Sequence, residues 1–283
     1  MNKFSIKLLI LVILLSFANN KINAQHRNDF EAGLFNIGFG GLVSGLGAVI
    51  NKKQNEKTGK VFLKGFGQGA LGGYLIFESK RLVGEFGKTG DYGYIWPSKL
   101  INSAGTSIIE NAAANRDFWD RWHLNIGFNR IEFYTKDKFK VSYRIMPFAL
   151  SSTIYGFTQG ELDFNKSIKV GSFVFFTDDI NNSGDFTGAT YSNSILIEKK
   201  ALNNLNGVLP HEIIHVYQYE SFSGLNSYLN KPITKLTKNK WFRTYNKIFY
   251  TDFNYLTFRG LYNLNTNHDS NFFENEARFY TEK

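Results

Sequence analysis

The stretch that decides the fold is HEIIHVYQ, residues 211–218, which contains the pattern H-E-x-x-H. On a helix, residues four positions apart lie one above the other, so His211 and His215 can direct both imidazoles at one metal ion. Glu212 is offset by one residue and can contact a metal-bound water without binding the metal itself. Its carboxylate can accept a proton from a zinc-bound water, whose pKa falls to roughly 7. The pattern therefore predicts a zinc site with Glu212 as the catalytic base.

The neighbouring residues predict the helix that carries this pattern. Pro210 suits a first turn, where its missing N–H would have no partner. Gly224 offers a left-handed stop. Gln218 lies two turns after His211 on the same face, where it either supports the metal site or is an ordinary surface glutamine. Two further interpretations of the motif stay open: a helix with two surface histidines, and a site that binds a metal without catalysis.

A third ligand is expected because catalytic zinc takes three protein ligands and keeps one position for water. The C-terminal stretch NFFENEARFY, residues 271–280, is acidic and has a helical period. With this stretch, the chain resembles the gluzincin class of zinc metallopeptidases, in which a Glu on a later helix completes H-E-x-x-H. The local similarity is greatest to the prenyl-protein endopeptidases and their bacterial heat-shock membrane relatives, whose later motif is E-x-x-A-D. Residues 274–277 read E-x-x-A here.

The resemblance implies a zincin-like domain that hydrolyses peptide bonds, with zinc bound by His211, His215 and Glu274, and with Glu276 as the alternate third ligand. Arg278 stands where the related motif has Asp, so a partner that should orient a metal-binding histidine is missing. The longer pattern H-E-x-x-H-x-x-Q also resembles that of uncharacterised exported bacterial proteins.

A peptidase also needs a donor for the oxyanion that forms at the scissile carbonyl. His268, six residues before Glu274, is the first candidate for this catalytic role, and an exposed loop histidine is the alternative. Tyr217, Tyr280 and Arg278 are the other candidates.

The first 24 residues have the features of a secretory signal peptide. Lys3 and Lys7 precede an apolar run of about 10 residues, which is shorter than the roughly 20 needed to span a bilayer, and cleavage is predicted after Ala24. The chain has no cysteine, which excludes disulfides and thiolate zinc ligands. We therefore expect an exported protein that is periplasmic or associated with the outer membrane.

The charge balance bears on the partners. The chain has 33 basic and 24 acidic residues, a net charge of +9, and removing residues 1–24 takes away three lysines and leaves +6. This modest excess suits an anionic membrane surface or an acidic partner. Residues 231–247 include six basic residues and no acidic one, as on a solvated helix face or, alternatively, an interfacial helix on anionic lipid. A peptide or protein substrate is the expected partner, and nucleic acid is not, because no binding motif occurs.

Residues 25–95 predict a Gly-rich helical hairpin. Two apolar stretches, 33–50 and 61–77, flank a polar link, and small residues at four-residue spacing let two helices approach closely. A tightly packed soluble hairpin is favoured, and packing at or in a membrane stays open.

Residues 96–283 predict the zincin-like metal-binding domain, so the expected fold class is α+β. A helix over 97–115 precedes an antiparallel sheet of four to five strands, which leads into the H-E-x-x-H helix. The segments predicted as strands are 123–134, 138–149, 152–158, 161–176 and 191–198. The alternative to an enzyme is a non-catalytic envelope protein with a structural metal site and a hairpin for membrane or partner packing.

Overall fold

The computed structural model describes residues 28–180, 187–265 and 267–282, and the predicted signal peptide, 1–24, lies outside them. This part of the chain is mixed α+β, which confirms the predicted fold class. The helices are α1 (Asp29–Asn51), α2 (Thr58–Thr89), α3 (Ile95–Ala113), α4 (Pro147–Gln159), α5 (Phe164–Val170), α6 (Leu205–Ser221), α7 (Asn230–Leu236), α8 (Lys240–Ile248), α9 (Asn254–Tyr262) and α10 (Phe272–Thr281). The strands are β1 (Arg121–Ile126), β2 (Asn129–Tyr134), β3 (Lys140–Ile145), β4 (Glu161–Leu162), β5 (Phe173–Thr177), β6 (Gly188–Tyr191) and β7 (Ser194–Glu198).

Helices α1 and α2 form the predicted Gly-rich hairpin. Their backbones approach so closely that a Cβ atom on Gly69 would lie 2.2 Å from the carbonyl oxygen of Gly40. A Cβ atom on Gly73 would lie 2.1 Å from the carbonyl oxygen of Asn36. Both distances are far below van der Waals contact, so only glycine fits at these positions of α2.

The hairpin packs on the helices that carry the two predicted metal motifs. Phe77 and Phe86 of α2 share one buried core with Leu209 and Ile213 of α6 and with Ala277 of α10. Helix α1 is long and apolar enough to cross a membrane, and half of its apolar stretch is buried within the protein. The choice between soluble and membrane packing of the hairpin therefore stays open.

The strands form two sheets, so the prediction of one antiparallel sheet of four to five strands was wrong. Strands β1, β2 and β3 form an antiparallel sheet, while the second sheet has the order β4-β5-β7-β6 with β5 and β7 parallel. The predicted strand 152–158 lies in α4, which begins at Pro147, and the predicted strand 161–176 contains α5, which Asp163 caps. Local start signals for helices outweighed the Thr, Ile and Tyr content that favoured strands.

The basic segment corresponds to α7 and α8, neither of which contains a buried residue. Leu236, Trp241 and Ile248 are among its exposed apolar side chains. Membrane contact through this segment stays a prediction.

Candidate metal centre

The helix that carries H-E-x-x-H begins earlier than its sequence predicts. Helix α6 starts at Leu205, so Pro210 lies inside it and not in its first turn. The helix ends at Ser221, and the chain continues as a 3-10 helix over Phe222–Leu229. Gly224 does not adopt the left-handed conformation predicted for it. It packs closely on α3 instead, because a Cβ atom added to it would lie 2.7 Å from Ile109 Cγ2.

Helices α6 and α10 bring His211, His215 and Glu274 together. The two Nε2 atoms of the histidines lie 3.1 Å apart. His211 Nε2 lies 3.1 Å from Glu274 Oε2, and His215 Nε2 lies 3.3 Å from Glu274 Oε1. The three side chains therefore converge, as the H-E-x-x-H spacing predicts for the two histidines and as the family resemblance implies for Glu274.

The spacing of these donor atoms fits a metal ion. Bonds of about 2.0–2.1 Å in a tetrahedron place neighbouring ligand atoms roughly 3.3 Å apart. The Nε2–Nε2 distance of 3.1 Å is close to this value, and each Nε2 lies at a similar distance from one Glu274 oxygen, Oε2 for His211 and Oε1 for His215. Glu274 and His215 are buried and His211 is partly buried. This group could hold a metal ion, and its two imidazoles and one carboxylate are donors that suit zinc.

The charges of the centre favour an ionised Glu274. Burial alone raises the pKa of this carboxyl, but the adjacent His215 and hydrogen bonds from the histidines hold it far below its usual range. Burial alone lowers the pKa of His215, yet the Glu274 carboxylate raises it to about 9. In the metal-free centre, a proton on His215 therefore partly neutralises Glu274, and a cation would replace it.

Gln218 fixes the tautomer of His215. Its Nε2 donates to the carbonyl oxygen of Phe273 (2.8 Å) and to Glu276 Oε2 (2.9 Å), so its Oε1 faces His215 Nδ1 at 2.8 Å. Because Oε1 only accepts, Nδ1 carries the proton, and the neutral ring keeps its Nε2 lone pair for a metal. Gln218 is thus buried and hydrogen-bonded to His215, so the alternative of an ordinary surface glutamine was wrong.

Glu276, the alternate third ligand, faces away from the histidines. Its Oε1 lies 2.7 Å from Lys80 Nζ and accepts from Asn36 Nδ2 at 3.2 Å. Lys80 and Glu276 are each 1% exposed, which makes this an ion pair inside the protein. A chain of contacts therefore runs from the hairpin through Glu276 and Gln218 to His215.

Glu212 lines an open cleft together with His211, His215 and Glu274. Thr190 of β6 donates its hydroxyl to Glu212 Oε2 at 2.7 Å. Gly188 of the same strand packs so tightly that an added Cβ would lie 2.6 Å from Glu212 Oε1. The cleft has a volume of about 200 Å³, and β6, His211 and Tyr262 are part of its wall.

His268 also reaches the centre. Its Nε2 lies 3.0 Å from Glu274 Oε2, and Arg278 Nη2 lies 2.6 Å from its Nδ1. Since guanidinium only donates, Nδ1 accepts and Nε2–H points to the carboxylate. This arrangement makes His268 a hydrogen-bond donor at the mouth of the site, and its catalytic role stays a prediction.

Of the other predicted oxyanion donors, Tyr217 and Tyr280 belong to the hydrophobic core. Tyr262, which sequence reasoning missed, donates its hydroxyl to Glu274 Oε1. Burial and the Glu274 carboxylate raise the pKa of Tyr262 far above its ordinary value, so it keeps its proton. No local sequence pattern indicates Tyr262. It ends the short helix α9, ten residues before α10 begins at Phe272, and this spacing is compatible with a turn that brings it back to Glu274.

Comparisons of the chain with models of protein families, with characterised proteins and with solved structures find no match. The interpretation of this centre therefore depends on its own geometry.

Proposed function

We propose that the protein is an exported zinc-dependent hydrolase, and specifically a metalloendopeptidase. The observation that carries the proposal is the convergence of His211, His215 and Glu274, whose ligand atoms all lie within 4.8 Å of one another, with the Glu212 carboxylate lining the same open cleft. His211, His215 and Glu274 would hold zinc. A structural zinc site has four protein ligands, whereas three ligands facing a cleft leave a position for reactants.

Bound zinc would supply Lewis acidity, polarising a carbonyl and lowering the pKa of water to about 7. Glu212 accepts the proton of the attacking water and delivers it to the leaving amine. Thr190 holds the Glu212 carboxylate in place through its hydroxyl. Tyr262 and His268 are the donors closest to the carboxylate of Glu274, and they stabilise the oxyanion of the scissile carbonyl.

The cleft also favours a peptide as the substrate. Within the described residues, β6 pairs only with β7 and forms an edge of its sheet, and it lines the cleft beside Glu212. An extended peptide can add to such an edge through main-chain hydrogen bonds. This position would bring a peptide bond next to the metal-binding group.

The test is the zinc content and peptide cleavage of the wild type and of Glu212→Gln. The proposal expects about one zinc per chain in both proteins and loss of cleavage only in the variant, because Glu212 is not a ligand. No zinc in the wild type would contradict the proposal. Zinc in both proteins with cleavage unaffected by the substitution would exclude Glu212 as the base.

The alternative, a non-catalytic envelope protein that uses the site as a structural metal clip, expects a different pattern. Removing the metal would lower the stability of the fold, and no peptide library would be cleaved by the loaded protein. The buried hairpin contacts of α10 are the observation that favours a structural contribution.

A further inference from the structure

Arg259 differs from most arginines of the described chain in having no carboxylate partner there. Ion pairs with acidic side chains involve Arg81, Arg121, Arg130, Arg144 and Arg278. Arg259 instead lies over two tyrosine rings, 5.7 Å from the centroid of Tyr191 and 5.8 Å from that of Tyr262. These cation–π contacts hold the guanidinium but leave its N–H groups available to an acceptor.

Arg259 lies in the same cleft as the candidate metal centre. Arg259 is exposed and lines the cleft that also contains Glu212 and Glu274. Among the described residues of this wall it is the only lysine or arginine. The cleft wall therefore combines the carboxylates of Glu212 and Glu274 with one fixed positive charge, so a bound anion is attracted to Arg259 and repelled from the carboxylates.

The two tyrosines connect Arg259 to both functional parts of the cleft. Tyr191 is the last residue of the edge strand β6, and Tyr262 donates to the metal-binding Glu274. A peptide lying along β6 would thus pass Arg259 at a fixed distance from the reacting bond. A planar guanidinium matches the two oxygens of a carboxylate.

We propose that Arg259 binds a carboxylate of the substrate, so that the enzyme selects peptides with an acidic group at one fixed position relative to the cleaved bond. The inference rests on the proposed peptidase function. The carboxylate belongs either to an Asp or Glu side chain or to a free C-terminus, since both present the same pair of oxygens.

The experiment uses four pools of hexapeptides built from Ala, Leu, Phe and Gly. Two pools carry a single Glu and two carry a single Gln, and each kind is made with a free or an amidated C-terminus. The zinc-loaded wild type should cleave the carboxylate-bearing pools with kcat/KM roughly 10- to 100-fold above that of the amidated Gln pool. A preference that follows Glu identifies a side chain, and one that follows the free terminus identifies the C-terminal carboxylate.

Arg259→Gln should abolish the preference and leave zinc content unchanged. Arg243→Gln is the matched control, because it removes the same charge from the exposed helix α8. Cleavage without a preference in the wild type, or a preference that survives in Arg259→Gln, would overturn the inference while the peptidase proposal stands.

A binding measurement separates the inference from catalysis. The same unlabelled pools are titrated by calorimetry into zinc-loaded Glu212→Gln, with and without Arg259→Gln. The inference expects tighter binding of the carboxylate pools only when Arg259 is present, even if no peptide is cleaved by the wild type. Equal affinities for all four pools would overturn it.

Discussion

The metal-binding group has two sides that differ in construction. On the hairpin side, the floor, Asn36, Lys80, Gln218 and Glu276 are buried and hydrogen-bonded to one another. On the cleft side, the mouth, Arg259 is exposed and His268 is partly buried. Helix α10 contributes one carboxylate to each side. Glu276 faces the floor, and Glu274, two residues earlier, faces the histidines.

The difference indicates which residues position the centre and which meet a substrate. A saturated buried network resists rearrangement, because each lost partner leaves a polar group unsatisfied. Donors at the mouth can change partners when a substrate enters. We therefore expect floor substitutions to change stability and metal affinity, and mouth substitutions to change turnover and selectivity.

The largest effect is expected at Glu274, the ligand that lies between floor and mouth. Glu274→Gln replaces the anionic ligand with a neutral amide of the same size, so the zinc content should fall from about one per chain to near zero. Glu282→Gln is the control, because Glu282 directly follows α10 and is 66% exposed. Metal analysis of both variants after dialysis measures the effect. Full zinc occupancy in Glu274→Gln would remove this residue from the centre.

Lys80→Met tests the floor through stability. Removing one partner of a buried ion pair leaves Glu276 without its counter-charge, which should lower the free energy of unfolding by about 3–5 kcal/mol. The double variant Lys80→Met/Glu276→Gln should recover a large part of this loss. The control is Lys88→Met, which breaks an exposed pair with Glu85 on the same helix and should cost less than about 1 kcal/mol. Urea unfolding that shows equal losses for Lys80→Met and Lys88→Met would contradict the role of the floor.

Gln218→Leu should weaken zinc binding roughly 10- to 100-fold without removing a ligand. The reason is that His215 Nδ1–H loses its acceptor, so the ring no longer has a fixed orientation and tautomer. Competition with a chromophoric chelator measures the affinity, and Gln54→Leu in the exposed link of the hairpin is the control. An unchanged affinity would mean that the floor does not orient His215.

The smallest expected effect is the change in the protonation of His215 with pH. The raised pKa of His215, about 9, means that the metal-free centre holds a proton at pH 7 that a metal must displace. An NMR titration of the metal-free protein should show His215 protonated at pH 7 and losing its proton as the pH rises through 9. Without metal, the same proton stabilises the fold fully below about pH 6.5, and this contribution is lost as the pH rises through 9. A His215 imidazole that is neutral at pH 7 in the metal-free protein would contradict this charge state.

The sequence predicted those features that depend on local geometry. The H-E-x-x-H spacing places His211 and His215 on one helix face, and the resemblance to gluzincins supplied Glu274. Close helix packing was foreseen from the glycine spacing of α2, because Gly69 and Gly73 face the backbone of α1. Asp163, which caps α5, and Pro147, at the start of α4, were available signals that would have corrected two strand predictions.

The remaining features depend on contacts between distant parts of the chain. Lys80 and Glu276 are hydrogen-bonded although they are 196 residues apart in the sequence, and Thr190 and Glu212 although they are 22 residues apart. Neither pair produces a periodic sequence pattern. The parallel pairing of β5 and β7 likewise follows from how the intervening chain crosses over, which strand composition does not encode. Tyr262 and Arg259 belong to a short helix whose only distinguishing property is its position over the cleft.

The most direct test of the metal centre is an anomalous difference map, recorded at the zinc edge from crystals of the zinc-loaded protein. The account predicts one strong peak about 2 Å from His211 Nε2, His215 Nε2 and a carboxylate oxygen of Glu274. A peak elsewhere, or no peak between these three side chains, would contradict the proposed metal centre.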